Sequence, residues 1–366
     1  MSVAPAAPDH GAAVGPGPRP GERVLVTGAA GFVGSSVVRA LLDRGSRVRA
    51  LVEPGGDTAN LDGLDVEVVE GDLRDPDPVA AAVAGCAVVF HAAALYRFWA
   101  PDPAAFYDVN VGGTRNVLDA ARAHGCRRVV YTSTVGTLGL DGATADAAVD
   151  ERSFARVDHL FGRYKQSKYV AEHEVLRAAA EGLPVVLVQP TTPVGPRDRG
   201  PTPTGRTVLD FLNGRIPGYV DTTLNIVDVE DVAVGHLLAA DHGAQGRSYI
   251  LGGRNLALRD VLGTLAEVTG LPAPTRRFPN ALALAAAHVS DAVEGRILRR
   301  EPTVPLEGAR MSTTHMSFDD ARARTELGYT SRPPAEALER AARWFVGSGA
   351  VRPDRAARCT WPSAVV

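Results

Sequence analysis

Cysteine is scarce in this 366-residue chain: there are three, Cys86, Cys126 and Cys359, far apart and odd in number. That excludes a disulfide framework and a thiolate-clustered metal, and it suits a reducing cytoplasm. Basic runs interleaved with aromatics are missing too, with 39 Lys and Arg against 42 Asp and Glu. Without a positive stripe to follow a phosphate backbone, nucleic acid is not an expected partner. The longest apolar stretch, residues 281–289, falls well short of the ~20 apolar residues that span a bilayer. It reads instead as an apolar helix against the core or at a lipid interface, and no transmembrane segment is expected. The nine histidines show no metal-ligand spacing. Residues 1–20, rich in Pro, Ala and Gly, lack the basic start and continuous apolar stretch of a signal peptide and read as a disordered tail.

What is present is enough apolar content, 45% of residues, for a sizeable core. From Arg23, short β-branched runs alternate with helical patterns. Strands are expected at 24–27, 48–52, 66–69, 88–91, 128–132 and 185–189, with helices at 33–44, 114–124 and 164–181 ending near Gly45, Gly125 and Gly182. This predicts an α/β fold, a Rossmann-type doubly wound parallel sheet, over residues 21–190. After Pro190 the chain turns Pro/Gly-rich, with helices near 229–240 and 258–269 and a further strand at 248–251. Residues 191–347 therefore read as a smaller substrate lobe that interleaves with the first domain, and 348–366 as a C-terminal tail.

The first strand runs into Thr27-Gly28-Ala29-Ala30-Gly31-Phe32-Val33-Gly34 and then a helix. Glycines there permit a tight turn and close backbone approach to a pyrophosphate, while the helix start offers free N–H groups and partial positive charge. An ordinary strand-to-helix turn would also tolerate such a string; its place at the first strand of an alternating pattern favours the dinucleotide. Tyr164 and Lys168 are four residues apart on an expected helix, so both lie on one face. An ammonium near a phenol favours phenolate and brings the tyrosine toward acid/base work near neutral pH.

The glycine spacing, Gly71-Asp72-Leu73 after the third strand, His91-Ala92-Ala93-Ala94 after the fourth, Asn110-Val111-Gly112-Gly113-Thr114 and Tyr164-Lys165-Gln166-Ser167-Lys168 together resemble the extended short-chain dehydrogenase/reductases, the NAD-dependent epimerase/dehydratase family. In wording such as Tyr96-Arg97-Phe98-Trp99-Ala100-Pro101 and Tyr219-Val220-Asp221-Thr222, the chain is most similar to hopanoid-associated sugar epimerases and dihydroflavonol-reductase-like proteins. The resemblance implies cofactor contacts from Gly28, Gly31, Phe32, Val33, Gly34, Asp72 at the adenine, Leu73, Ala92, Pro190, Tyr164 and Lys168. It also implies a hydroxyl from Thr134, with Ser133 as the alternative, to hold the substrate oxygen, and pairing of two copies through flank helices as a homodimer.

Glu53, at the end of the second strand, can accept hydrogen bonds from a ribose hydroxyl and repel a 2′-phosphate, which favours NAD over NADP. Arg47 and Arg49 are the residues that would argue the other way. Tyr96 and Trp99, on the loop after the fourth strand, are expected to wall the substrate pocket; His159 reads as an exposed loop residue. Sugar-nucleotide dehydratases carry an acidic pair where Val135-Gly136 follows Thr134, so dehydration is disfavoured. Nucleotide-sugar epimerases carry Asn and Arg at the places of Thr192 and Leu224, leaving Arg197, Arg199 or Arg215 to replace that charge. The expected activity is hydride transfer between NAD(H) and a secondary alcohol or ketone of a small polyol, sugar-like or secondary-metabolite substrate. Epimerisation through a transient ketone is the second reading, and a non-catalytic dinucleotide-responsive regulator the third.

Overall fold

Valine-rich runs such as Arg-Val-Leu-Val-Thr pack apolar side chains on both faces of a strand, which suits a sheet covered on both sides. In the computed structural model, which describes residues 17–97, 99–145, 147–298, 302, 306–311 and 313–361, these runs form β1 (Arg23–Thr27), β2 (Arg47–Val52), β3 (Val66–Glu70), β4 (Val88–His91), β5 (Arg128–Thr132) and β6 (Val185–Pro190). They are followed by β7 (Thr192–Val194), β8 (Thr223–Asp228), β9 (Ser248–Leu251) and β10 (Arg254–Ala257). Seven strands make one parallel sheet in the order β3-β2-β1-β4-β5-β6-β9, as the sequence predicts; β10, β8 and β7 form a second, smaller sheet.

The helices are α1 (Phe32–Asp43), α2 (Pro76–Val83), α3 (Ala105–Tyr107), α4 (Gly113–Ala123), α5 (Arg163–Ala180), α6 (Pro203–Leu212), α7 (Val229–His242), α8 (Leu258–Thr269), α9 (Asn280–Ser290), α10 (Leu306–Met311), α11 (Pro334–Gly347) and α12 (Pro353–Ala356). The two-residue period of β1 sends Val24 and Val26 to one core with Val37, Leu41 and Leu237 of α1 and α7. Leu25 goes to the other, with Val117 of α4 and Val175 of α5. Because α7 covers the large sheet and β9 extends it, the two lobes interleave. The smaller lobe has its own core of Phe211, Leu262, Leu265, Leu338 and Phe345.

One segment differs from expectation. The stretch after residue 347 is packed as far as Trp361. Val351 is buried in the smaller lobe's core, Arg355 donates from Nε to the Leu212 carbonyl at 3.0 Å, and Trp361 lies 4.5 Å beneath the Arg343 guanidinium. Its apolar side chains have a surface to cover, which a tail would leave in water. The apolar stretch 281–289 falls on α9, where Ala287 is buried while Leu282 and Val289 are exposed. Among the described residues no helix is long and apolar enough to cross a membrane. Residues 1–16 of the expected N-terminal tail lie outside the described residues.

Candidate functional site

A cavity of about 740 Å³ opens at the carboxyl ends of the strands, between the large sheet and the smaller lobe. β1 there has β2 on one side and β4 on the other, so the crossovers leave in opposite directions and open a crevice suited to a ligand.

At one end stands the glycine turn. Gly28 has φ +64°, and a Cβ on it would lie 2.7 Å from the Ala93 Cα. A Cβ on Gly34 would come within 2.1 Å of the Gly28 carbonyl oxygen, so glycine is what lets α1 start this close to β1. Gly31 caps α1 without a side-chain hydrogen bond, which leaves the first-turn N–H groups for a ligand. Gly28, Gly31, Phe32, Val33, Gly34, Glu53, Ala92, Tyr164, Lys168 and Pro190 all line the cavity. The donor set and the run of the cavity from the glycine turn to Tyr164 fit a dinucleotide.

Glu53, after the end of β2, lines the cavity. Arg49 is engaged elsewhere, with Glu67 at 3.0 Å and the carbonyls of Ala82 and Ala84. Arg47 opens β2 and so lies roughly 16 Å of strand from its far end, where Glu53 follows. Sequence reasoning missed Asp57, paired with Arg199 at 2.8 Å, and Asn60, whose amide donates to the carbonyls of Ala30 and Arg197, 3.0 Å each, and so joins the lobes. Asp72 and Leu73 do not line the cavity. They follow β3, the outermost strand; Asp72 is held by Arg74 at 2.5 Å, and Leu73 packs beneath Gly113.

Under the crevice lies a hydrogen-bond chain whose direction can be followed. Thr114 donates its hydroxyl proton to the Asn110 carbonyl, so His91 Nε2 carries the ring proton and donates to Thr114 Oγ1 at 3.0 Å. His91 Nδ1 accepts from the Thr27 hydroxyl at 2.7 Å, while Thr27 Oγ1 accepts from Ala93 N–H. Burial holds the His91 pKa down to about 3, and the nearby Lys168 charge adds to that, so the ring is neutral.

At the other end α5 presents Tyr164 and Lys168, and the end of β5 presents Thr134. Lys168 is buried; its Nζ donates to the Thr132 carbonyl at 2.7 Å and sits 4.2 Å from the centre of the Tyr131 ring. Burial brings its pKa down to about 7, against an opposing pull from Glu172. Burial raises the Tyr164 pKa, a hydrogen bond with Thr134 works against that, and Glu307 adds to it. The expected lowering of the phenol is thus not met in the protein alone, where burial dominates. Ser133 also lines the cavity, but its hydroxyl is engaged: it donates to Glu172, which also accepts from Thr137 at 2.9 Å. Of the two hydroxyl candidates, Thr134 is the one beside the phenol.

Tyr96 stacks on Tyr164, ring centres 4.7 Å apart. Asn110 secures this loop to α5, accepting from Leu95 N–H at 2.7 Å and donating to Ser167 Oγ at 2.9 Å. Trp99 is half-buried but is not among the lining residues, a correction to its expected place; Phe98 beside it lies outside the described residues. Thr192 lines the cavity and its buried Oγ1 has no protein partner. His159 is exposed and borders a neighbouring chamber rather than this one. Lys165, Asp198 and Glu307 also line the site. No motif marked Asp198 and Glu307, because they reach it from the second lobe.

Residues 24–252 match the model of the NAD dependent epimerase/dehydratase family. The chain is 45% identical over 332 residues to a dihydroflavonol 4-reductase-like protein of Synechocystis sp., covering 90% of this chain and 96% of that one. It is 37% identical over 328 residues to sterol demethylase protein B of Methylococcus capsulatus, covering 89% and 99%. Among solved structures, gox2253 superposes with a TM-score of 0.80 at 43% identity, over 90% of this chain and 100% of that one. The sheet order, the glycine turn and these likenesses agree: the chain belongs to the NAD dependent epimerase/dehydratase family and is an enzyme of the extended short-chain dehydrogenase/reductase kind that binds a nicotinamide cofactor.

Proposed function

We propose that the protein is an NAD(H)-dependent oxidoreductase that interconverts a ketone and a secondary alcohol, with Tyr164 as acid and base. The observation that carries this reading is the convergence of Tyr164, Thr134 and Lys168 on the cavity that begins at the glycine turn. A bound nicotinamide supplies or accepts the hydride at the substrate carbon. Tyr164 Oη donates its proton to the carbonyl oxygen as the alcohol forms and takes it back in the reverse direction. Thr134 donates a hydrogen bond to the same oxygen and fixes the reacting carbon in line. In its charged form, below about pH 7, Lys168 favours negative charge on the phenol oxygen between proton transfers. Glu53 accepts from the adenosine ribose hydroxyls and repels a 2′-phosphate, which supports NAD over NADP.

A secondary-metabolite ketone suits the site better than a nucleotide sugar. A diphosphate needs cations, and the three arginines that the sequence offers for that charge carry carboxylate partners, Arg197 with Glu230 at 2.8 Å, Arg199 with Asp57 at 2.8 Å and Arg215 with Asp210 at 3.5 Å, which leaves Arg97 as the other arginine of the cavity lining. The reductase in the Synechocystis relative's name points the same way. The test is incubation of purified protein with NADH and a panel of ketones. Net loss of nicotinamide absorbance upholds the reading. Isomerisation of sugars without net change makes it an epimerase, and cofactor binding without any turnover makes it a regulator.

A further inference from the structure

Beside the main cavity lies a second chamber of about 420 Å³. Val135, Gly136, Lys165, Glu307, Met311 and Met316 line both, so the two are separated by a wall one side chain thick. That wall is built largely from long, unbranched side chains, of which methionine is the most adaptable to a passing ligand. The far side is apolar, with Leu138, Leu140, Leu160, Phe161 and Phe318. Charged residues such as Asp141 and Asp158 stand with these, and Arg310 covers the Phe161 ring at 4.4 Å. Protein interiors leave few voids larger than a water molecule, so a space of this size beside a reaction site calls for an occupant.

The wall itself gives a second sign of a ligand. Glu307 is 7% exposed, and its Oε1 is buried with no hydrogen-bond partner. Its other oxygen is pressed over Gly162, where a Cβ would lie 1.7 Å away. A buried acceptor left without a donor is destabilising, because it has given up water and gained nothing in return. It is stable in function when something that crosses the wall brings the donor. Burial raises the Glu307 pKa to about 7, against the pull of Lys165, in keeping with a carboxyl group that lacks a firm partner.

We propose that the second chamber is a tail subsite: the substrate is a ketone or secondary alcohol bearing a long apolar chain, which passes Lys165, Glu307 and Met311 and is buried against Leu138, Leu140 and Phe161. This rests on the reading above that Tyr164 marks the reacting end. Glu307 then receives its donor from a polar group of the substrate at the crossing, and the chain beyond it gains only from leaving water.

Each methylene that leaves water is worth about 0.8 kcal/mol, or about fourfold in affinity. The experiment uses the full chain with NADH and a series of 2-alkanones of increasing length, with binding followed by calorimetry and turnover by nicotinamide absorbance. Affinity should rise about fourfold per carbon once the chain passes the wall, then level off when the chamber is full. Leu140→Trp, which fills the chamber, should cut the ratio of long-chain to short-chain affinity at least tenfold. Affinity independent of length in the unaltered protein, or a Trp variant that keeps the full slope, overturns the tail subsite. Short ketones turned over with a flat affinity series would overturn the subsite and leave the oxidoreductase reading intact. A steep series sensitive to Leu140→Trp but without turnover of any member would uphold the subsite and overturn that reading.

Discussion

Lys168 donates from its ammonium to the Thr132 carbonyl across 2.7 Å, tying the first half of α5 to the end of β5. The bond is made in a buried place, and burial takes the lysine pKa down to about 7 from an ordinary value near 10.5. Between those two values the unfolded chain binds the proton and the folded one does not, so stability rises with pH across that window. The cost of burying the charge is fully present below about pH 7. Urea unfolding at pH 6 and pH 9.5 should therefore show Lys168→Met gaining relative to the natural chain at the lower pH. The difference between the two pH values should be on the order of 3 kcal/mol. Equal effects at both would mean that the amine keeps its ordinary pKa.

His91 gives the opposite end of the pH range. Its folded pKa of about 3 lies below the ordinary value of 6.5, so as pH falls through this interval the unfolded chain takes up a proton the folded ring refuses. Stability is present above about pH 6.5 and is lost on acidification; the buried His236, brought down to about 4, acts in the same sense. Denaturation at pH 7 and pH 4.5 should show the natural chain losing roughly 2–3 kcal/mol more than His91→Asn over that interval. Parallel losses in the two proteins would show that burial does not keep the ring neutral.

The main sheet was legible because a strand buried on both faces must be apolar throughout, and Val24–Thr27, Val88–His91 and Arg128–Thr132 say so in consecutive residues. Gly28, Tyr164 and Lys168 were legible because their chemistry depends on neighbours close in sequence. The wall of the pocket was not. Glu307 follows Tyr164 by 143 positions and Asp198 meets its partner Thr202 in a loop without regular pattern, so only the docking of the second lobe puts them there. Trp99 and Asp72 lie off the cavity's lining for a related reason: sequence order says which strand a loop follows, not how far along the sheet it reaches.

Glu53 stands exposed at the end of β2, free of the ion pairs that occupy Arg49 and Arg199. Replacing it with arginine should relieve repulsion of a 2′-phosphate and remove the acceptor for ribose hydroxyls. Steady-state kinetics of Glu53→Arg should move the NADH to NADPH ratio of kcat/KM by about 10²-fold or more toward NADPH, two tenfold steps of about 1.4 kcal/mol each. A natural chain that already prefers NADPH would refute the ribose contact.

Gly34 tests whether the turn is shaped by backbone alone. An alanine methyl there would stand 2.1 Å from the Gly28 carbonyl oxygen, a backbone atom with nowhere to go. Gly34→Ala should weaken dinucleotide binding by tenfold or more and lower stability by about 1–3 kcal/mol, the usual cost of overpacking. Gly263→Ala, on α8 with nothing within 4 Å of the added methyl, is the control and should be neutral or slightly stabilising. Calorimetric titration with NAD and thermal unfolding of both variants decide the matter.

The hydroxyl at the end of β5 can be assigned by comparing neighbours. Ser133 donates to Glu172, whereas Thr134 is hydrogen-bonded with the Tyr164 phenol, so their loss should read out differently. Thr134→Val should lower kcat about 10²- to 10³-fold, the range found when one donor to a developing oxyanion is removed. Tyr164→Phe, which takes away the proton itself, should lower it further, with little change in NADH affinity because no hydrogen bond from the phenol holds the dinucleotide's phosphates. Ser133→Ala should act through Glu172 and Lys168 instead. It frees the carboxylate from one donor, strengthens its pull on the ammonium, and so moves the pH dependence of kcat/KM upward while leaving the maximum within about tenfold. If Ser133→Ala abolishes turnover and Thr134→Val does not, the two hydroxyls have exchanged roles and the substrate oxygen lies nearer Glu172 than the phenol.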